Sequence, residues 1–231
     1  MKRILLKLSG EALAGDKHMG FDDDTIIGVA KQVKQLVDDG IEVGVVIGGG
    51  NFWRGRSAKT VDRVKADQIG MLATIMNAIY VSEIFRGEGM MTNILTPFEC
   101  GSFTKLFSKD RANKYFARGH VVFFAGGTGH PLFSTDTGVM LRAIEVNAEC
   151  IFLAKAVDAV YDADPKTNPN AHRYDEVSID EVIEKNLQVV DMTASIMARE
   201  HKMPMKVFAL NEENSIVHAV KGPFKGTTVT V

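Results

Sequence analysis

The sequence predicts one α/β domain over residues 1–231, a mostly parallel central sheet with helices on both faces. Three observations predict it. The strand-like segments are short continuous apolar runs, which suit strands buried on both faces. Segments with helical spacing separate most of them, and helices are the usual crossovers between parallel strands. No linker, repeat or low-complexity tract interrupts the alternation.

In chain order, Ile4 to Leu6 is a buried strand that feeds a tight turn at Lys7 to Gly10. From Asp24, the residues Ile26, Val29, Val33, Leu36 and Val37 recur at helical spacing, and Gly40 stops the helix. Glu42 to Ile47 is a second β-branched run, closed by Gly48, Gly49 and Gly50. A long helix follows over Asp67–Phe85, with Ile69, Leu72, Ala73, Met76 and Ile79 on one face. Further strands are expected at Met91–Leu95, Val121–Phe124, Ile151–Leu153, Met205–Phe208 and Thr227–Val231. Helices are expected over Lys105–Arg118, Asp136–Ala148, Ile179–Lys185 and Thr193–His201.

Composition narrows the function. Lys and Arg number 27 against 29 Asp and Glu, a net charge of -2, which argues against a general nucleic-acid binder or a polybasic membrane protein. Two cysteines, Cys100 and Cys150, make no disulfide scaffold, and no Cys/His cluster has zinc spacing. The apolar run before Lys7 is too short for a signal core. The charge-free stretch Gly119 to Thr135 holds four glycines and two histidines, unlike a membrane span. A soluble cytoplasmic protein is expected, with neither membrane nor nucleic acid as partner. The six histidines are scattered, and none pairs with a nucleophile as a histidine-based hydrolase requires.

Ligands of open α/β sheets bind beyond the carboxyl ends of the strands. Three such ends carry glycine: Lys7 to Gly10, Gly48 to Asn51, and Gly126 to Pro131. Glycine lets backbone N–H groups approach an anion closely. One such loop alone reads equally well as a tight turn; three point to an anionic ligand. Neither GxxxxGK[ST] nor a strand-linked GxGxxG is present. Instead a lysine, Lys7, precedes its loop, where its ammonium can reach phosphates as a point charge.

The motifs KLSGEAL (Lys7–Leu13), GGGNFWRG (Gly48–Gly55), ADQIGMLAT (Ala66–Thr74) and GTGHP (Gly127 onward, to Pro131 with Gly126 before it) resemble those of the bacterial UMP kinases. These belong to the amino-acid kinase fold family, a three-layer sandwich. VDAVYDADP (Val157–Pro165), Val189–Asp191 and Lys206–Phe208 follow in the family's order, and the ADQIGMLAT helix separates UMP kinases from carbamate, glutamate and aspartate kinases. The resemblance implies direct transfer of the γ-phosphoryl of MgATP to UMP, giving UDP without a phosphoenzyme. By the same resemblance, Lys7, Leu8, Ser9, Gly10, Gly50, Arg54, Lys155, Tyr161 and Asp164 contact ATP. Gly49, Asp67 and the run Thr128, Gly129, His130, Pro131, Leu132, Phe133, Ser134 and Thr135 contact UMP. Lys7, Asp136 and Asp191 are the catalytic set, the aspartates orienting the lysine and helping to place Mg²⁺, which ATP carries; no direct protein ligand to the metal is assigned.

The resemblance also implies a GTP activator at Gly15, Asp16, Lys17, His18, Met19, Gly20 and Arg86, and a UTP inhibitor at the UMP site, in a homohexamer built from dimers. Departures from the family pattern bear on these expectations. His130 stands where asparagine is usual, Ala159 replaces a glycine, and Lys155 takes the place of a polar ATP contact. Phe98–Arg118 matches poorly, and Asn93 falls where some relatives have arginine, so GTP activation is expected to be weak. The competing readings are a kinase of the same fold acting on a carboxylate or carbamate, and a nucleotide-binding assembly without turnover.

Overall fold

The computed structural model describes residues 1–17, 19–53, 60–165 and 167–231. Strand β1 (Arg3–Leu8) runs into the single helical turn α1 (Gly10–Leu13), then a 3₁₀ turn at Gly15–Lys17 and helix α2 (Asp23–Asp38). Next come β2 (Glu42–Ile47), the 25-residue helix α3 (Arg63–Gly87), β3 (Thr92–Thr96), β4 (Lys105–Leu106), α4 (Lys109–Phe116) and β5 (Val121–Phe124). The second half holds α5 (Thr135–Glu145), β6 (Cys150–Lys155), β7 (Val160–Tyr161), β8 (Arg173–Tyr174), β9 (Glu176–Ser178) and α6 (Ile179–Glu184). It closes with α7 (Met192–His201), β10 (Met205–Ala209), α8 (Ser215–Lys221) and β11 (Thr227–Thr230).

Nine strands form one sheet in the order β4-β3-β5-β2-β1-β6-β10-β11-β9, parallel throughout except for the β10–β11 pair. β7 and β8 make a separate antiparallel ribbon. The chain leaves β1 on one side to β2 and returns to its other side as β6, so strand order reverses at β1. That reversal opens a crevice at the carboxyl end of β1, where Lys7 and Leu8 lie.

Both faces of the sheet are covered. Ile4, Leu6 and Leu8 pack with α2, α3 and α8, whereas Leu5 packs with α5. The two-residue period of a strand puts Lys7 on the Leu5 face, under the start of α5.

The long helix expected over Asp67–Phe85 is α3, and most of the large apolar residues that share one face of it look outward. The large residues Ile69, Leu72, Met76 and Ile79 are exposed, Leu72 by 53% and Met76 by 50%. The side toward the sheet is lined by small and polar residues, Ala66, Ala73, Thr74, Asn77, Ala78 and Ser82, with Ile75, Val81 and Phe85. By length and composition α3 could cross a membrane, yet its small-residue side lies against β2, β3 and β5. The helix also starts four residues early, because Asp62 caps it by accepting from the N–H groups of Val64 and Lys65 at 3.1 and 3.2 Å.

The segment from 105 to 118 is a second correction. Lys105 and Leu106 pair with Leu95 and Thr96 as an edge strand, and Ser108 caps the shorter α4 by accepting from the Arg111 N–H at 3.2 Å.

Candidate active site

Asp136 stands in the first turn of α5, and Lys7 on β1 faces it: Nζ lies 3.0 Å from Oδ1, both side chains largely buried. Asp136 is not the helix cap. Ser134 takes that role by accepting from the N–H groups of Asp136 and Thr137 at 3.0 and 3.3 Å.

Asp191 stands at the start of α7. Its carboxylate accepts from the hydroxyls of Ser134 and Thr137, the latter at 2.9 and 3.0 Å, and from the Ala194 N–H at 3.0 Å, capping α7. It therefore joins the starts of α5 and α7 and does not orient Lys7 directly; Asp136 has that position.

Lys155 ends β6, the strand beside β1, and donates to the Val189 carbonyl. Burial pushes its amine from the usual 10.5 down to about 8, partly opposed by the Asp136 charge and reinforced by Lys7. Two amines and a carboxylate thus gather where strands β1 and β6 end.

The loop after β1 is tightly held. The Ser9 N–H donates to the Ala154 carbonyl at 3.3 Å. A Cβ on Gly10 would lie 2.3 Å from the Gly48 carbonyl oxygen, so only glycine lets this loop meet the Gly48–Gly50 loop so closely. The Gly48 N–H in turn donates to the Leu8 carbonyl at 3.0 Å. Leu8, Ser9, Gly10, Gly49 and Gly50 therefore converge on one crevice. Arg54, expected to join them, lies outside the described residues, as does His18.

Beside Asp136 is a cavity of about 280 Å³ lined by Gly49, Trp53, Asp67, Gly70, Phe133 and Ser134, among others. Trp53 is pinned there by donating its indole N–H to the Ala66 carbonyl at 2.7 Å. Asp67 accepts from the Arg63 guanidinium at 2.9 and 3.0 Å and from the Leu132 N–H at 2.9 Å. It is held against the 128–135 segment as well as facing the cavity. Within that segment the Thr128 hydroxyl accepts from the His130 N–H at 3.2 Å, and the His130 side chain is exposed. Leu132 takes the left-handed conformation at φ 74 with its side chain 66% exposed, a strained backbone next to the half-buried Pro131. Gly129 has φ 92 and packs against Pro97, leaving no room for a side chain.

A second cavity of about 450 Å³ lies beyond β6 and β10, bounded by Val157, Asp158, Tyr161, Pro165, Asn211 and Glu212. Burial and the hydrogen bond from its hydroxyl to Asp158, 2.9 Å long, both raise the Tyr161 phenol above its usual range. Asp164 shapes the neighbouring turn, its carbonyl accepting from the N–H groups of Thr167 and Asn168 at 3.1 and 2.8 Å.

Among the described residues, those expected to take GTP lie at two places along α3. Gly20 is bound to Asn51 on the inner side of α3, close to Gly15, Asp16, Lys17 and Met19 in sequence. Arg86 lies at the far end of that helix and donates to Thr92 at 2.7 and 3.2 Å. Nine residues of helix beyond Asn77 put Arg86 about 13 Å further along the axis.

Residues 2–209 match the amino acid kinase family. The chain belongs to this family. A uridylate kinase of Rickettsia bellii (strain RML369-C) is 44% identical over 230 residues, which cover 99% of this chain and 96% of that protein. The UMP kinase structure of Bacillus anthracis superposes with a TM-score of 0.94 at 35% identity, covering 99% of this chain and 96% of the other. That of Ureaplasma parvum gives 0.94 at 33% identity, covering 100% and 99%. The amino acid kinase fold thus spans the described sheet from edge to edge.

Several residues at the site escaped the sequence reading. Thr74 accepts from the Gly126 N–H at 2.9 Å and fixes the start of the third glycine loop. Asn51 and Asn77 are both buried behind the second. The polar residues Thr74 and Asn77 within an apolar helix were the available signal, since a buried amide or hydroxyl must find partners.

Proposed function

We infer that this protein is a UMP kinase, transferring the γ-phosphoryl of ATP to UMP to give ADP and UDP in the supply of pyrimidine nucleotides. The observation that carries this reading is the Lys7–Asp136 pair at the wall of the Asp67 cavity, in a chain whose full length resembles uridylate kinase. The reaction needs alignment and charge neutralisation more than acid–base chemistry, because a nucleotide phosphate oxygen is already anionic.

UMP enters the Asp67 cavity. Asp67 accepts from its ribose hydroxyls, a role for which a carboxylate suits and against a phosphate would repel. Gly49 and the Thr128–Thr135 segment hold its phosphate. ATP lies with its base in the Tyr161 cavity and its phosphates over Leu8, Ser9, Gly10 and Gly50, with Asp164 and Lys155 on the same side. Lys7 neutralises charge on the transferring group, and Asp136 fixes the direction of its ammonium.

Among the described residues no group of three metal-ligating side chains stands together. Mg²⁺ enters carried by the ATP phosphate oxygens, and the Asp136 carboxylate is the protein group that would hold it. The ion, when bound, offsets phosphate charge. Asp191 acts through Ser134 and Thr137, holding the start of α5 and hence Asp136.

The exposed apolar side of α3, carrying Leu72 and Met76, supports a subunit contact and so the homohexamer of the family. UTP competes with UMP for its cavity, whereas GTP activates weakly through the segment 15–20. The enzyme acts in the cytoplasm. Phosphorus NMR of ATP mixed with UMP tests the reaction: ADP and UDP should accumulate one for one. Free phosphate growing in place of UDP would remove the transfer to UMP.

A further inference from the structure

Behind the glycine loops lie two buried amides to which neither the sequence motifs nor the comparisons give a role. Asn77, on the inner side of α3, is 0% exposed, and Asn51, just after the Gly48–Gly50 loop, is 2% exposed. They face one another as a reciprocal pair. Asn77 Nδ2 donates to Asn51 Oδ1 at 2.7 Å, and Asn51 Nδ2 donates to Asn77 Oδ1 at 3.1 Å. Each amide nitrogen has one hydrogen left. Asn77 donates its second to the Gly48 carbonyl at 2.7 Å, and Asn51 donates its second to the Gly20 carbonyl at 2.8 Å. All four amide N–H groups are therefore used, with no donor to spare for water or ligand.

What these bonds hold gives the pair its meaning. The Gly48 carbonyl oxygen, fixed by Asn77, is the atom that a Cβ on Gly10 would strike at 2.3 Å, and Asn51 Oδ1 would be the next at 2.7 Å. The Lys7–Gly10 loop thus rests on Gly48 and on Asn51. The Gly20 N–H also donates to the Asn51 carbonyl at 3.2 Å, so Asn51 grips Gly20 by side chain and backbone together. One buried amide pair is in contact with three glycine-bearing segments, and its partner helix α3 also carries Asp67 and Thr74.

We propose that Asn51 and Asn77 are positioning residues that set the register of the Lys7–Gly10 loop against the Gly48–Gly50 loop, and so the spacing between the phosphoryl donor and its acceptor. The proposal rests on the UMP kinase reading. Neither side chain touches a nucleotide; both act through the backbone of the loops. An apolar core could fill the same space, but it would leave the buried Gly48 carbonyl and the part-buried Gly20 carbonyl without their donors. In-line transfer is sensitive to displacements of about 1 Å, which can cost about 10²-fold in rate without loss of either substrate. The same pair passes any movement of Gly20 to the loops, because Gly20, Asn51, Asn77 and Gly48 form one unbroken chain of hydrogen bonds.

The decisive probe is a bisubstrate analogue, adenosine and uridine joined through their 5′ oxygens by a pentaphosphate, which binds well only when both loops are in register. Its affinity is compared with those of ATP and UMP alone, in wild type, Asn77→Ala and Asn51→Ala, by calorimetry on the full chain. Each variant should lose at least about 30-fold for the analogue and about 10²-fold in kcat, while ATP and UMP affinities change less than about threefold. The double variant should lose no more than either single one, because the pair acts as a unit. Equal losses for the analogue and the single nucleotides, or no loss for the analogue, would overturn the proposal. Should Asn77→Ala fail to fold, Asn51→Ala and the gentler Asn77→Ser decide it by the same ratio. A wild type that turns over no UMP would instead defeat the functional reading, and this proposal with it.

Discussion

Lys7 and Lys155 stand beside one carboxylate, Asp136. Lys7 is paired with Asp136 at 3.0 Å. Its charge is worth most where negative charge gathers in the transition state, so Lys7→Ala should lower kcat by about 10²–10³ and change UMP binding little. Steady-state kinetics checks this, and near wild-type kcat would remove Lys7 from the mechanism. Lys155 carries an amine that burial lowers to about 8. Above that pH it loses its charge in the folded protein, so kcat/KM for ATP should fall as pH rises through about 8. Stability moves the other way. From about pH 8 up to the ordinary value of 10.5, the unfolded chain holds the proton that the folded one has lost, so stability attributable to Lys155 rises with pH across that window. Lys155→Met should flatten both slopes relative to wild type, read from pH–rate profiles and from melts at pH 7.5 and 9.5.

Secondary-structure elements explain why the aspartates divide their work. Asp62 caps α3, so Asp67 has no part in starting that helix. Asp67→Ala should therefore raise the KM for UMP by about tenfold or more, the usual loss of about 1.5–3 kcal/mol for hydrogen bonds to a charged group. ATP saturation and melting temperature should stay nearly unchanged; equal losses for both nucleotides would refute its place on the acceptor side. Asp191 joins α5 to α7 by its bonds to Ser134, Thr137 and Ala194. Asp191→Ala should cost about 1–2 kcal/mol of stability as a lost cap, with a melting temperature lower by several degrees and a fall in kcat as α5 shifts. Much of this scaffold was legible in the residues. The apolar runs at Glu42–Ile47 and Val121–Phe124 are strands at those very bounds, because buried parallel strands leave a continuous signal. Lys7 and Asp136 could be singled out, but their contact depends on the two-residue period of β1 and on the capping of α5 by Ser134. The two-residue strands β7 and β8 were not readable, since pairing alone defines them. Nor was the inward side of α3: Ile69, Leu72, Met76 and Ile79 face outward, while alanine, threonine and asparagine meet the sheet together with Ile75, Val81 and Phe85.

For the whole molecule, the exposed side of α3 is the surface we propose for the assembly. Leu72 and Met76 lie half exposed along a helix otherwise anchored to the sheet, and burying them against a second copy is favourable at roughly 25 cal/mol per Å² of apolar surface. Light scattering should return a hexamer, and Leu72→Glu with Met76→Glu should break it into smaller species; a wild-type monomer would contradict this. UTP should inhibit competitively with UMP, while GTP should activate weakly, because Arg86 is tied to Thr92 well away from the segment 15–20. Strong activation by micromolar GTP would contradict the second half. The proposed activity depends on the acceptor being a pyrimidine nucleotide received beside Lys7 and Asp136. The most direct test offers the enzyme ATP with UMP, CMP, AMP, GMP, aspartate, glutamate and carbamate, each alone, and follows ADP release by a coupled assay. UMP should be turned over far faster than any other acceptor; turnover of a carboxylate or carbamate with UMP ignored, or of none at all, would contradict the account.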